Sequence, residues 1–491
     1  MKPDKTPQPS VLRDVVFYRN VDGIFTKIMD TLTGGPFLAG LALALGASTF
    51  QIGLIAAIPF LSKIAFIPAV WVVERFRRRR RICVISSLIG RPLLLAIALA
   101  AVMLNAPLAL SLLMGGLAVF SVLATFSGLA WNAWMKDILP ERIRGRLFSR
   151  RLLFTGIAGM ILSLLGALMV DVWGNQPQGP LYSLALLFGV GAIGGIIGIY
   201  FLGRIPENPT QLLGGFSMRR ALARPFQDQA FRSLIGFSGS WAFATNLAIP
   251  FITVYMLSVL HLPFVLVIVF SLASQLANLA FLDIWGRLAD RFGNKAVLFI
   301  CAPVFSVSLL LWTFTVNDQQ WVTLSLIALI HVMNGIATAG IDVANDNILF
   351  QLAPKAQPTP YFATGALFNS LAAGIAPILG GAMGNLFLGQ TLSMHLRWNA
   401  TEFTVISFSH LHFIFLAAFL VGLLAFNRLG RVKEREHEAP RALVIKSVRE
   451  EIQNISTIKG MRHLTQAASF FAGLLLESSS LISRPKHPPS R

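Results

Sequence analysis

The chain has 491 residues, of which 55% are hydrophobic and only 13% charged, with a mean hydropathy of +0.67. Soluble proteins carry about 25% charged residues, so too few polar groups remain here to cover a water-facing surface. The formal charge of +19 fits nucleic-acid binding in isolation, but 38 Phe and nine Trp in long apolar runs exclude disorder. The two cysteines, Cys83 and Cys301, both lie in apolar segments and exclude a disulfide scaffold. The first 20 residues are polar and apolar runs continue far beyond them, so a lone signal peptide does not account for the composition. A polytopic membrane protein remains.

A membrane-crossing helix needs about 20 mostly apolar residues. Twelve segments meet this, at 22–46, 49–73, 82–104, 108–131, 152–174 and 181–203, then 232–258, 264–286, 296–316, 321–344, 361–388 and 408–428. A β-barrel would show alternating stretches of about 10 residues; these runs are longer and do not alternate, so the predicted class is all-α. Pro36, Pro59, Pro68, Pro92, Pro250, Pro303 and Pro377 fall inside the runs, where neighbouring helices can satisfy the carbonyls that proline frees.

Lys and Arg set the orientation. With the N-terminus inside, the inner loops hold Arg75, Arg77 to Arg81, Lys136, Arg142, Arg144, Arg146, Arg150 and Arg151, and later Arg204, Arg219, Arg220, Arg287, Arg291 and Lys295. The outer loops hold Arg397, and Lys27, Lys63 and Arg91 lie within spans. The basic surplus is thus a topology signal and a face toward anionic lipid, and nucleic acid is not an expected partner. The expected organisation is an N-terminal cytoplasmic segment at 1–21, a six-helix bundle at 22–203, a cytoplasmic connector at 204–231, a second bundle at 232–428 and a cytoplasmic tail at 429–491. The mildly apolar tail segment 464–476 is too short to span.

The two bundles look like copies. Val70-Trp-Val-Val-Glu74-Arg75-Phe76-Arg77 follows span two, and Gly286-Arg-Leu-Ala-Asp290-Arg291-Phe292-Gly293-Asn294-Lys295 follows span eight. Glu74 and Asp290 differ by about 216 positions. Pro140 with Phe148, and Pro354 with Phe362, repeat at about 214. Equal direction of both halves is what a parallel duplication requires. The Gly286-x-x-x-Asp290-Arg291-x-Gly293-x-Lys295 segment resembles the cytoplasmic loop signature of the major facilitator superfamily, and the first-half copy is a degenerate version. Gly374-Ile-Ala-Pro377-Ile-Leu-Gly380-Gly381 is similar to a Gly/Pro motif of that family. Trp131-Asn-Ala-Trp134-Met-Lys-Asp137-Ile-Leu-Pro140, leading to Arg144-Gly145, looks like a bacterial subgroup. The resemblance covers about 20–428 and implies two pseudo-symmetric six-helix bundles that rock around a midplane cavity. It also implies a gating cluster of Glu74, Arg75, Gly286, Asp290, Arg291 and Gly293, with Arg291 meeting Asp342 and Asp346 at the inner end of span ten and Gly286 allowing close helix approach.

Ionisable groups inside the bilayer cost about 2.5–3.5 kcal/mol or more each and are functional candidates. Lys27 and Asp30 lie three apart in span one, Lys63 in span two and Arg91 in span three. At 1.5 Å per residue, Asp30 is about 12 Å deep, Lys63 about 16 Å and Arg91 about 13 Å. Three cations against one clear acid suggest a site for an anionic group, with Asp30 as proton carrier. A locking ion-pair network is the alternative. In the second half, His331 and Asn334 share a face of span ten, and Asn246 and Asn369 are candidates for substrate contact or interhelical bonding. No phosphate-cradling Gly-x-x-x-x-Gly-Lys-Ser/Thr, Gly-x-Ser-x-Gly or Cys/His cluster of metal spacing occurs. The expectation is therefore a monomeric, non-enzymatic, cofactor-free symporter or antiporter of the inner membrane. It would carry a small molecule by alternating access, driven most simply by a proton gradient, with an anionic substrate as the open option. The alternatives are an exporter of amphipathic compounds, which an aromatic neutral cavity would favour, and a scaffold or assembly factor without transport.

Overall fold

A computed structural model of the chain describes residues 9–432, apart from 77, 175, 177, 208–223, 316–319, 355–358, 399–400 and 409. The tail segment 464–476 and most of the connector therefore lie outside the described residues. Twelve crossings are present, and two of them are broken. Span one consists of α1 (Pro9–Leu32) and α2 (Gly35–Ala44). The break follows from three residues. Gly34 is extended, Gly35 has φ +51°, and Pro36 has no N–H to continue the ladder of α1. Pro36 instead occupies the first turn of α2, where no N–H is needed. Thr33 closes α1 by donating from both its N and its Oγ1 to the Met29 carbonyl, at 2.9 and 2.8 Å.

Span two divides likewise into α3 (Thr49–Leu61), a 3-10 turn at Ser62–Ala65 and α4 (Phe66–Phe76). Ser48 and Gln51 cap α3 reciprocally. The remaining crossings are α5 (Arg79–Met103), α6 (Ala106–Ile138), α7 (Glu141–Gly174), α8 (Gly179–Arg204), α9 (Gln229–Ser258), α10 (Phe264–Phe292), α11 (Asn294–Leu311), α12 (Gln320–Leu352), α13 (Thr359–Leu386) and α14 (His410–Leu429). Among the described residues, eleven stretches are long and apolar enough to cross a membrane on their own. The first crossing is not among them because α1 is rich in charge and α2 has only 10 residues. Helices α6, α7 and α12, of 33, 34 and 33 residues, reach about 50 Å and outrun a hydrocarbon core of about 30 Å.

Within the first half, α5 packs on α6 and α8, and α1 on α7 and α8. Within the second, α10 and α11 pack on α12, and α9 packs on α13 and α14. The helix ends define two faces. One carries the start of α1 and the connector, here called the terminus face. The other carries an antiparallel hairpin of β1 (Leu392–Trp398) and β2 (Thr401–Phe408), with an irregularity between Met394 and His395. That hairpin is an addition to the all-helical expectation and lies in a loop between spans.

The halves join toward the hairpin face. The Gly/Pro segment of α13 lies against α3, and its glycines make this possible. A Cβ on Gly381 would fall 2.7 Å from the Thr49 carbonyl oxygen and 2.9 Å from Phe50 Cα. Phe50 N donates to Asn385 Oδ1 at 3.3 Å. Across the other seam, the Asp171 carboxylate at the end of α7 accepts from Phe264 N and Val265 N, at 2.7 and 2.8 Å. One half thereby caps the N-terminus of α10 in the other, where Pro263 offers no side-chain cap. The Phe37 and Phe264 rings pack beside this contact, 5.2 Å apart.

Candidate functional site

A cavity of about 370 Å³ lies inside the first half. Its deep wall is buried and comes from α5: Cys83, Ser86, Ser87 and Arg91. Its mouth is exposed and comes from Asp30 on α1 and from Ala124, Gly128 and Asn132, spaced four apart on α6. Asp22, Thr26, Trp131 and Arg151 complete the charged side.

The helix face that α1 turns inward is a polar stripe, with Asp22, Thr26 and Asp30 at intervals of four. Asp22 is 3% exposed. Its Oδ1 lies 3.7 Å from Arg91 Nη2 and its Oδ2 3.9 Å from Arg151 Nη2. Arg91 also donates Nη1 to the Gly195 carbonyl at 2.6 Å and Nη2 to Thr26 Oγ1 at 3.2 Å. The glycines of α8 admit this arrangement, since a Cβ on Gly198 would meet Arg91 Nη1 at 2.8 Å. Arg151 lies over the Trp131 ring, 4.7 Å from its centroid. The cavity is therefore charged and hydroxyl-bearing rather than neutral, with Phe120, Trp131, Met29 and Leu202 supplying an apolar and partly aromatic part of its wall.

Of the expected first-half residues, Asp30 and Arg91 line this cavity and Lys27 and Lys63 do not. Lys27 leans on α7 at Gly159, where a Cβ would lie 3.3 Å from its Nζ, although it remains within electrostatic reach of Asp30. Lys63 sits in the 3-10 turn of span two and is exposed. Two charged members were not singled out from the sequence. Asp22 stands at the first position of the predicted span and reads as interfacial, yet α1 begins at Pro9 and carries it well inside. Arg151 reads as a loop cation, yet α7 begins at Glu141. The four-residue spacing of Asp22, Thr26 and Asp30 was the available signal.

The second half pairs its polar groups internally. His331 is buried, its Nδ1 2.9 Å from the Ile327 carbonyl oxygen, with its ring stacked on Phe270. Asn334 Oδ1 accepts from Ser308 on α11. Asn246 donates to the Ala242 carbonyl at 2.8 Å, and Asn369 Oδ1 accepts from Ser238 at 3.0 Å. Asn278 donates to Thr338 at 3.0 Å. His412, near the hairpin-face end of α14, is buried, with Nε2 2.9 Å from the Tyr255 hydroxyl.

At the terminus face, Glu74, Arg75, Asp290, Arg291, Asp342 and Asp346 are all exposed. Arg291 lies over its neighbour Phe292, 5.0 Å from the centroid, and the expected pairing with Asp346 is not made in this conformation. The link from the loop after span eight to α12 is instead Asn347 Nδ2 donating to Asn294 Oδ1 at 2.9 Å. Gly293, with φ +90°, lets α10 turn directly into α11. A Cβ on Gly286 would meet nothing within 4 Å, so the close approach expected there is absent from this conformation.

Twelve crossings in two six-helix halves, joined at one face and holding a charged cavity, define a carrier-type membrane protein. A sequence profile of the Major Facilitator Superfamily matches residues 23–282 and 242–483, and the chain belongs to that family. It is a secondary transporter, not an enzyme. The nucleoside transporter NupG superposes with a TM-score of 0.62 at 14% identity, covering 87% of this chain and 100% of that one. The D-xylose-proton symporter gives 0.62 at 15%, covering 85% and 97%. At these identities the likeness is one of fold. The efflux pump dotC of Dothistroma septosporum (strain NZE10 / CBS 128990) is 29% identical over 126 residues, which is 26% of this chain and spans only 20% of that protein.

Proposed function

We propose a proton-coupled transporter of a small solute, with Asp30 as the proton carrier and the charged cavity of the first half as the seat of coupling. One observation carries the reading. Asp30 is exposed at the mouth of a cavity whose deeper charges, Asp22, Arg91 and Arg151, are already arranged around one another. An accessible carboxylate beside fixed cations can exchange a proton with solvent as its surroundings change. The charged, hydroxylated lining supports a polar solute over the amphipathic compounds of an exporter, and it supports transport over a scaffold role. The basic loops of the terminus face support a cytoplasmic placement of that face in an inner membrane, in contact with anionic lipid.

The test is a solute screen in proteoliposomes that contain a pH-sensitive dye. Asp30→Asn is expected to abolish solute-driven proton movement while solute exchange between the two sides persists. Proton movement that survives in Asp30→Asn overturns the assignment.

The gate follows from alternating access. Asp290, Arg291, Asp342 and Asp346, exposed here, come together when the terminus face closes, with Glu74 and Arg75 as their weaker counterparts in the first half. Asp290→Asn is then expected to raise the terminus-open population and slow turnover severalfold, with normal yield of folded protein. Identical inter-half spin-label distances and unchanged transport would reject this.

A further inference from the structure

We propose that the cavity of the first half is a receptor for an oxyanion, the carboxylate or phosphate of a small organic ligand, and that Arg151 receives it. The proposal rests on the transporter reading and gives its substrate class.

Arg91 and Arg151 share the cavity but differ in what they are bonded to. Arg91 is held by the Gly195 carbonyl, Thr26 and Asp22. The Arg151 guanidinium makes no hydrogen bond among the described residues. Its nearest acid oxygen is Asp22 Oδ2 at 3.9 Å, while its side chain is 18% exposed and lines the cavity. Its position is nonetheless fixed. Trp131 lies under the guanidinium, and Gly23 of α1 leaves it room, because a Cβ there would come within 3.0 Å of Arg151 Cζ and Nη2. A guanidinium stacked on a ring keeps its in-plane N–H groups free, and their fork matches the two oxygens of a carboxylate or phosphate.

The charge balance points the same way. Among the described residues, Arg19, Lys27, Arg91 and Arg151 are grouped with two acids, Asp22 and Asp30. Arg19 is fully buried between α1 and α7. It donates Nη2 to the Leu147 carbonyl at 2.8 Å and to Asn20 Oδ1 at 3.0 Å, while its Nε and Nη1 have no hydrogen-bond partner among the described residues. Asp283 does not balance the group, because it is bonded to Arg287 on its own helix. An uncompensated excess of cations in a low-dielectric region is costly, and a bound anion relieves it. On the same cavity's wall, Ser87 and Ser127 are 3.0 Å apart, and Ser86 also lines it. Their hydroxyls suit the polar body of the ligand, and the cavity is of metabolite size.

Binding to the purified full-length protein tests this by calorimetry. Inorganic phosphate, glycerol 3-phosphate and citrate are the probes, with glycerol and choline as controls at matched ionic strength. At least one anionic probe is expected to bind saturably, with Arg151→Gln weakening it at least about tenfold. Arg151→Lys, which keeps the charge and loses the fork, is expected to be intermediate and guards against a folding defect. Lys63→Met is expected to bind as the parent does. Nanodiscs of phosphatidylglycerol or phosphatidylcholine separate the sources: Arg151-dependent competition by phosphatidylglycerol supports the receptor and makes a lipid headgroup its ligand. Binding of choline or glycerol alone, no binding of any anionic probe, or equal affinity in folded Arg151→Gln and Arg151→Lys overturns the proposal. Calorimetry reads binding without transport, so a loss of proton coupling in the proteoliposome assay alongside saturable, Arg151-dependent anion binding leaves the receptor standing and is told apart from a failure of binding.

Discussion

The two halves share one fold and spend their polar residues differently. In the first half, both leading spans are broken, at Thr33–Gly34 and at Ser62–Ala65, and the charges of α1, α5 and α7 face a cavity. In the second half, α9 and α10 run unbroken; Asn278, Asn334, Asn369 and His412 each bond to another helix, and Asn246 and His331 bond to carbonyls of their own helices. On the proposed function, a duplicated architecture leaves one copy to act as a packed lever while the other carries the chemistry.

The strongest way to break this comparison is at Asp22. Asp22→Asn leaves Arg91 and Arg151 without their shared acid, and removing one partner of a buried pair costs about 3–5 kcal/mol. The purified variant is expected to melt well below the parent. An unchanged melting temperature would mean that the cavity charges are solvated and the first half is no more dependent on its acids than the second.

A smaller effect is expected at the seam. Asp171→Asn keeps the side chain's shape and loses the charge that caps α10. Hydrogen bonds to charged groups contribute about 1.5–3 kcal/mol, so the hairpin-face-open population is expected to rise by about tenfold. Spin labels near the ends of α7 and α10 read this directly, and an unaltered distance distribution would show that the glycine seam of α13 alone holds the halves together.

The smallest effect sharpens the contrast. Asn369→Ala removes the acceptor of the Ser238 hydroxyl and is expected to cost about 1 kcal/mol of stability. Solute-driven proton movement per turnover should be unchanged. A change in proton stoichiometry would bring the second half into the chemistry.

Much of this was legible along the chain, and the exceptions have specific causes. Span existence is a matter of length and hydropathy, so twelve crossings could be read directly. Span ends were less legible, because helices continue past the apolar stretch. That is why α7 takes in Arg151 and α1 takes in Asp22. Lys63 reads as a bilayer charge from its depth alone, but depth does not give azimuth. The 3-10 turn in span two further rotates α4 away from an ideal helical wheel drawn through α3. The Gly374–Gly381 motif was visible as a motif, while the surface it meets, α3 of the other half, was not.

By itself the sequence determined the class, the duplication and the presence of costly charges, because apolar length, repeated loop spacing and residue type are local properties of the chain. Tertiary structure alone decided which charges meet. Arg91 finds Asp22 across 69 positions and Arg151 finds it across 129. Asp171 finds the start of a helix in the other half. Those pairings depend on helix rotation and on glycines that let backbones close to contact, and neither is set by the local composition of a span.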